Sequence, residues 1–146
     1  MPEIEICPMT EKDLDGVLEI EKENFKFPWK REIFLSDLNR KSAYCLVAKK
    51  KGLVLGYIII LQALDEFHLA NISVKKGYQR QGIGSALMNE MLKIAQENGI
   101  KSIYLEVRKS NLPAQRFYEK FGFTFTYTRK GYYEDGEDAL IYEKKI

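Results

Sequence analysis

Apolar residues recur along the chain at two different periods, and the switches between them predict the elements. Glu3 to Cys7 alternates charged and apolar residues, the period of a half-buried strand. Thr10 then stands as a helix cap, with Asp13 three residues on in the position of the capping-box acid. Leu14, Val17 and Leu18 form the apolar stripe of a first helix. Phe25-Lys26-Phe27-Pro28-Trp29 breaks that pattern, because proline disfavours helix at the residue before it. A second helix follows with Ile33, Phe34 and Leu38 inward. Ala43 to Ala48 and Leu53 to Leu61 are β-branched-rich runs joined by a Lys-Gly turn, an antiparallel hairpin. Phe67 to Val74 is a further strand. Gly82 to Asn98 is the strongest helix: Leu87, Met88, Met91, Ile94 and Ala95 recur at helical spacing, and Asn98-Gly99 supplies the stop. Ile103, Leu105 and Val107 alternate with Tyr104, Glu106 and Arg108, which is a strand. A short helix runs from about Asn111 to Phe121, with Pro113 in its first turn and Gly122 after its end. Phe123 to Lys144 holds two strand-like runs around Glu134-Asp135-Gly136. The order predicts one mixed α/β (α+β) domain over residues 1–146, built on one central sheet.

Composition narrows the class. The chain has 146 residues, 45% hydrophobic and 30% charged, which is the make-up of one globular domain. Its formal net charge of +2 is small and the basic residues are spread out, so no direct nucleic-acid partner is expected. Lys49, Lys50 and Lys51 beside Gly52 read as a solvated turn. No apolar run approaches the ~20 residues of a membrane helix, and Met1-Pro2-Glu3-Ile4 lacks the regions of a signal peptide. The expected location is cytoplasmic, with no membrane partner. Cys7, Cys45 and the single His68 form no ligand cluster, so no metal is expected, and both cysteines read as small core residues.

The most informative stretch is Val74-Lys75-Lys76-Gly77-Tyr78-Gln79-Arg80-Gln81-Gly82-Ile83-Gly84-Ser85, between a strand and a helix. Glycines there let a ligand approach the backbone, and the free N–H groups of a first helical turn make an anion site suited to a pyrophosphate. Arg80 adds a charge. The loop lacks the Gly-Lys-Ser/Thr of a phosphate-binding loop, and it follows a hairpin rather than opening a βαβ unit. By itself the loop is equally well a tight strand-to-helix turn.

Gln79-Arg80-Gln81-Gly82-Ile83-Gly84 resembles the glycine signature of the GNAT superfamily of N-acetyltransferases. Leu105-Glu106-Val107-Arg108-Lys109-Ser110-Asn111, Phe117-Tyr118-Glu119-Lys120-Phe121-Gly122-Phe123, Arg129-Lys130-Gly131-Tyr132-Tyr133 and Gly136-Glu137-Asp138-Ala139 are similar to the RimI-type protein N-terminal acetyltransferases. The resemblance spans nearly the whole chain. It implies a twisted sheet of about seven strands with four helices, and a splayed strand pair that admits acetyl-CoA as cosubstrate. It also implies that Ile72, Ser73 and Val74 hold the pantetheine arm through their backbone. Arg80, Gln81, Gly82, Ile83, Gly84 and Ser85 would hold the pyrophosphate, and Asn111 would touch the coenzyme beyond the splay.

Acetyl transfer to an amine poses two proton problems. An α-ammonium with pKa of about 7.7–8.0 must lose a proton, and the leaving thiolate gains by receiving one. Glu106 lies on the strand face opposite Ile103, Leu105 and Val107, where an enclosed carboxylate is costly unless paired or used. Periodicity alone leaves a salt bridge to Arg108 or a lysine open; the resemblance matches Glu106 to the proton acceptor. Tyr118 lies two turns after Asn111 on one helix face, within the apolar stripe Ala114, Phe117, Tyr118 and Phe121. Packing alone would explain it; the resemblance matches it to the proton donor. Glu66, before the cofactor strand, is a rival base or the end of a solvated strand, and His68 reads as structural. Phe27, Pro28 and Trp29, with Tyr132 and Tyr133, are candidates for gripping an acceptor peptide, since tyrosines both pack and hydrogen-bond. The acceptor implied is a protein N-terminus or peptide, a ribosomal protein among the candidates, for a monomer or weak homodimer. A free small amine, or coenzyme binding without turnover, are the competing functions. Ser73 stands where many members carry alanine, and Gln115-Arg116 replace aliphatic residues beside Tyr118.

Overall fold

The computed structural model describes residues 3–146. The elements follow the predicted order: β1 (Glu5–Pro8), a 3-10 turn (Glu11–Asp13), α1 (Leu14–Asn24), α2 (Arg31–Leu38), β2 (Ala43–Lys50), β3 (Leu53–Ala63), β4 (Glu66–Val74), α3 (Ile83–Glu97), β5 (Ser102–Arg108), α4 (Leu112–Lys120), β6 (Thr124–Arg129) and β7 (Ala139–Lys145). The seven strands form one sheet in the order β1-β2-β3-β4-β5-β7-β6. Every neighbouring pair is antiparallel except β4 and β5.

That exception positions the site. β4 and β5 pair only through Glu66 with Ser102, Phe67 with Ile103 and His68 with Tyr104. Beyond His68, β4 continues to Val74 and β5 to Arg108 with no pairing between them. Each branch is held on its outer side instead. β3 follows β4 as far as Gly56 with Val74, and β7 follows β5 from Lys145 with Ser102 to Ala139 with Arg108. The sheet therefore opens as a fork of two arms, and the main-chain groups that face the gap must find partners other than the opposite strand. Gly56 allows the β4 arm its place: a Cβ there would lie 2.9 Å from the Ser73 carbonyl oxygen.

A bulge in β4 sets which side chains face which way. Ile59 pairs with Asn71 and Ile60 with Leu69, so Ala70 has no partner. Phe67 and Leu69 before the bulge, and Ile72 and Val74 after it, pack on the same face, while Ala70 joins the opposite one. An extra residue inserted into a period of two turns the rest of the strand over. Two cores result. One lies under α3 and α4, around Leu87, Met88, Met91, Leu105 and Phe123. The other lies under α1 and α2, around Leu14, Val17, Ile20, Phe34, Tyr57 and Ile59.

Three expectations change. Ile33 is 44% exposed rather than inward, because α2 is a short helix whose inner face is spent on Phe34, Asp37 and Leu38. Lys49 and Lys50 belong to β2, and the turn is Lys51-Gly52, both with positive φ, as a two-residue hairpin loop requires. Lys49 is not a solvated turn residue: its Nζ meets the buried Asp13 carboxylate at 2.6 Å. Burial would raise the Asp13 pKa, but the Lys49 bond and charge and the Thr10 amide outweigh it and hold it low. The predicted capping box at Thr10 and Asp13 is present. No helix among the described residues is long and apolar enough to cross a membrane.

Candidate active site

The β4 arm offers main chain, and the loop after it offers a charged nest. Arg80 (φ +62°) and Gly82 (φ +86°) both take left-handed backbone, which turns the chain sharply into α3. The first bond of α3 runs from the Ala86 N–H to the Gly82 carbonyl at 2.9 Å. The amides of Ile83, Gly84 and Ser85 precede it and point out of the helix end. No acidic side chain stands in that first turn. The loop is fixed from behind. The side-chain amides of Gln79 and Gln81 donate to the Val74 and Gly77 carbonyls, the Lys76 N–H donates to Glu23, and Asn24 Nδ2 donates to the Val74 carbonyl at 2.8 Å. Asn24 also donates to the hydroxyl of Ser73. A Cβ built on Gly82 would meet nothing within 4 Å, so open space lies before the helix end. A β4 edge that β5 leaves unpaired, outward amides and an exposed arginine together suit the chemistry of a pantetheine arm ending in a diphosphate.

The β5 arm offers side chains. Tyr104, Glu106 and Arg108 share the face opposite Ile103, Leu105 and Val107, which lie in the core under α3 and α4. The helices of the other face reach β2, β3 and β4. Glu106 is nevertheless only 12% exposed, and its partner is His68, whose Nε2 lies 2.8 Å from Oε1. The salt bridge to Arg108 left open by the sequence does not form. Arg108 instead bonds Asp135 at 3.0 Å and Glu137 at 2.8 Å, and stacks over the Tyr133 ring at 4.1 Å. The guanidinium holds Asp135 down to about 2, and the Ser110 and Arg108 donors lower Glu137. Lys26 reaches the same Asp135 at 3.2 Å from the loop after α1. Arg108 and Lys26 thus tie the β6–β7 loop to the α1–α2 loop across the mouth of the fork.

These loops carry the aromatic candidates. Phe27 is 40% exposed and Tyr132 45% exposed, with Tyr133 half-buried and edge-on to Tyr132 at 5.0 Å. Burial, and then the Glu106 charge, raise the pKa of both Tyr132 and Tyr133, so the tyrosines and the carboxylate share one space. Pro28 is exposed beside Phe27, whereas Trp29 turns inward, its ring 5.3 Å from Phe34. Tyr118 projects from α4 against Phe117 and Phe123. Burial raises its pKa most, followed by Tyr133 and the Glu106 charge, so its hydroxyl stays protonated and near the same centre. Asn111 caps α4 by accepting from the Ala114 N–H at 3.2 Å, which leaves its Nδ2 to donate elsewhere. Gln115 ties α4 to the end of β5 through the Arg108 and Lys109 carbonyls.

Glu66 is not brought to this centre. It pairs with Ser102 at the closed end of the fork and accepts from the Ser102 hydroxyl at 3.3 Å. Along the strands it lies four residues back from the level of Glu106, about 13 Å. Glu21 is a further buried group behind the site, which sequence periodicity alone does not single out. It is 2% exposed and accepts from Tyr57 at 2.6 Å, Asn71 at 2.8 Å and the Trp29 N–H at 2.9 Å. A buried carboxylate with three donors pins the α1–α2 loop to β3 and β4. Spacing only places it inward: Glu21 follows Val17 and Leu18 by four and three residues, on the inward stripe.

Known proteins are similar to this chain in sequence and in fold. Residues 14–123 match the acetyltransferase (GNAT) family. A protein of Bacillus subtilis (strain 168), provisionally named a ribosomal protein bS18-alanine N-acetyltransferase, is 39% identical over 132 residues, covering 89% of this chain and 87% of its own. The crystal structure of the ribosomal-protein-S18-alanine N-acetyltransferase from Escherichia coli superposes with a TM-score of 0.91 at 33% identity, covering 99% of this chain and 94% of that one. That of Ard1 from Thermoplasma volcanium gives 0.93 at 28% identity, covering 98% and 97%. The sequence signature, the forked sheet and these relatives agree that the chain belongs to the acetyltransferase (GNAT) family and is an N-acetyltransferase of the RimI type.

Proposed function

We propose that the protein transfers acetyl from acetyl-CoA to the N-terminal α-amine of a protein, in the cytoplasm, with Glu106 as proton acceptor and Tyr118 as proton donor. One observation carries the mechanism: a nearly buried carboxylate at the mouth of the strand fork, flanked by two aromatic loops that are clamped together. The β4 edge along Ile72, Ser73 and Val74, which β5 leaves unpaired, would take the pantetheine arm as an added strand does, and the amides from Gln81 to Ser85, with Arg80, would take the diphosphate. Asn111 Nδ2 would donate to the coenzyme beyond the fork. The thioester supplies the acetyl group.

Glu106 accepts the proton that the α-ammonium must lose, which exposes the nitrogen lone pair. A C–N bond forms as the C–S bond breaks, the Tyr118 hydroxyl gives its proton to the departing sulfur, and the second proton that the acylated nitrogen sheds restores the Tyr118 hydroxyl by way of solvent. A phenol can do this only while protonated, and burial of Tyr118 favours that form. Phe27, Pro28, Tyr132 and Tyr133 line the entrance, and Trp29 fixes the first of these loops. A protein N-terminus is favoured over a free amine because several relatives above 30% identity carry names of ribosomal-protein alanine N-acetyltransferases, and another at 32% that of an N-alpha-acetyltransferase. An open cleft between loops also accommodates an extended chain.

The test is acetyl-CoA consumption against a peptide panel varying the first residues, with spermidine and an aminoglycoside as controls. A peptide beginning with the preferred residue should exceed both controls by roughly a hundredfold or more in kcat/KM. Spermidine or the aminoglycoside turning over as fast as the best peptide would refute the assignment.

A further inference from the structure

We infer that His68 is the positioning residue of the proton acceptor: its imidazole holds one oxygen of Glu106 so that the other meets the amine. The inference rests on Glu106 being that acceptor. His68 is the last β4 residue paired with β5, opposite Tyr104, and Glu106 stands two residues further out on β5. The 2.8 Å contact between His68 Nε2 and Glu106 Oε1 therefore spans the fork one step beyond the last backbone rung. An ionised carboxylate only accepts, so Nε2 carries the hydrogen and Oε1 is engaged. Oε2 is left as the free acceptor.

The ring is itself fixed. It stacks on Tyr104 at 4.5 Å with the planes 7° apart. A glutamate carboxylate otherwise turns freely about its last torsion, which has broad minima. A pinned carboxylate presents its lone pair in one direction, and misplacement of a proton acceptor is costly in rate. The arrangement also explains why Glu106 tolerates burial without an Arg or Lys partner: a charge-assisted hydrogen bond replaces the missing ion pair.

The experiment compares the full-length wild type with H68A, H68Q, E106Q and the H68A/E106Q double variant, measuring kcat and KM for acetyl-CoA and for a peptide. H68A should lower kcat about tenfold to a hundredfold, the range of a lost hydrogen bond to a charged group, with the acetyl-CoA KM unchanged. H68Q should recover most of the rate, because its side-chain amide places a donor near the Nε2 position. In the E106Q background, H68A should cost less than about twofold more, since the two act as a unit. Losses that multiply in the double variant, H68Q as slow as H68A while melting like wild type, or a raised acetyl-CoA KM with intact kcat would each overturn the positioning role. E106Q at the wild-type rate would overturn the role of Glu106 itself, and this inference with it.

Discussion

The two arms of the fork do different work with different parts of the chain. The β4 arm and its loop present backbone: unpaired strand edge, left-handed turns at Arg80 and Gly82, and the amides at the head of α3. The β5 arm presents side chains: Tyr104 against His68, Glu106 bonded to His68, and Arg108 clamped to Asp135 and Glu137. Main-chain sites constrain a sequence through what must be absent, namely a Cβ or a bulky side chain. Side-chain sites constrain it through identity. The first kind should tolerate replacement of most residues but not of a key glycine. The second should be sensitive to isosteric changes that leave the fold untouched.

The largest expected effect lies on the β5 arm. Glu106→Gln should lower kcat by about 10²–10⁴, the usual worth of a positioned proton acceptor, while acetyl-CoA binding measured by calorimetry is unchanged. A variant that kept its rate from pH 6 to 9 would erase the distinction between the arms. Tyr118→Phe is next, about tenfold to a hundredfold in kcat with little change in melting temperature; an unaltered rate would return Tyr118 to packing alone. On the β4 arm, Gly82→Ala forces a side chain onto φ +86° and should cost about 1–2 kcal/mol of local strain. Acetyl-CoA affinity should fall roughly tenfold with kcat at saturation preserved, and a kcat loss with intact affinity would contradict the main-chain role.

The smallest effect concerns the loops. Arg108→Lys gives up the paired contacts to Asp135 and Glu137 and the stack on Tyr133, so the peptide KM should rise severalfold with the acetyl-CoA KM unchanged. The same clamp has a pH signature. Asp135 is held down to about 2 by Arg108, so its contribution to loop order is complete above the ordinary carboxylate range and is lost only as pH falls toward that value. The Tyr133 ring resonances at pH 5 should match those at pH 7, and early loosening would show that the clamp is not electrostatic.

Some of this site was legible before any coordinates. The glycine spacing after Val74, the alternation that places Glu106 opposite Leu105 and Val107, and the helical stripe through Tyr118 are all local patterns. The partners were not. His68 and Glu106 are 38 residues apart in the chain. Arg108, one of the partners that periodicity leaves open for Glu106, bonds the β6–β7 loop instead. Glu21 carries no local mark of its side-chain donors, because Tyr57 and Asn71 lie 36 and 50 residues away in the chain. Ile33 faces solvent in α2, a helix of 8 residues with too few turns for periodicity to fix its inner stripe.

The sequence by itself determined the elements, the helix head that can face an anion, and the residues able to exchange protons, because each follows from neighbours a few positions apart. Only the tertiary structure decided where the strands part, that Ala70 falls out of register and turns Asn71 toward Glu21, and that His68 rather than Arg108 holds Glu106. Those are settled by contacts between segments far apart in the chain, and no local periodicity encodes which of several compatible charges will meet.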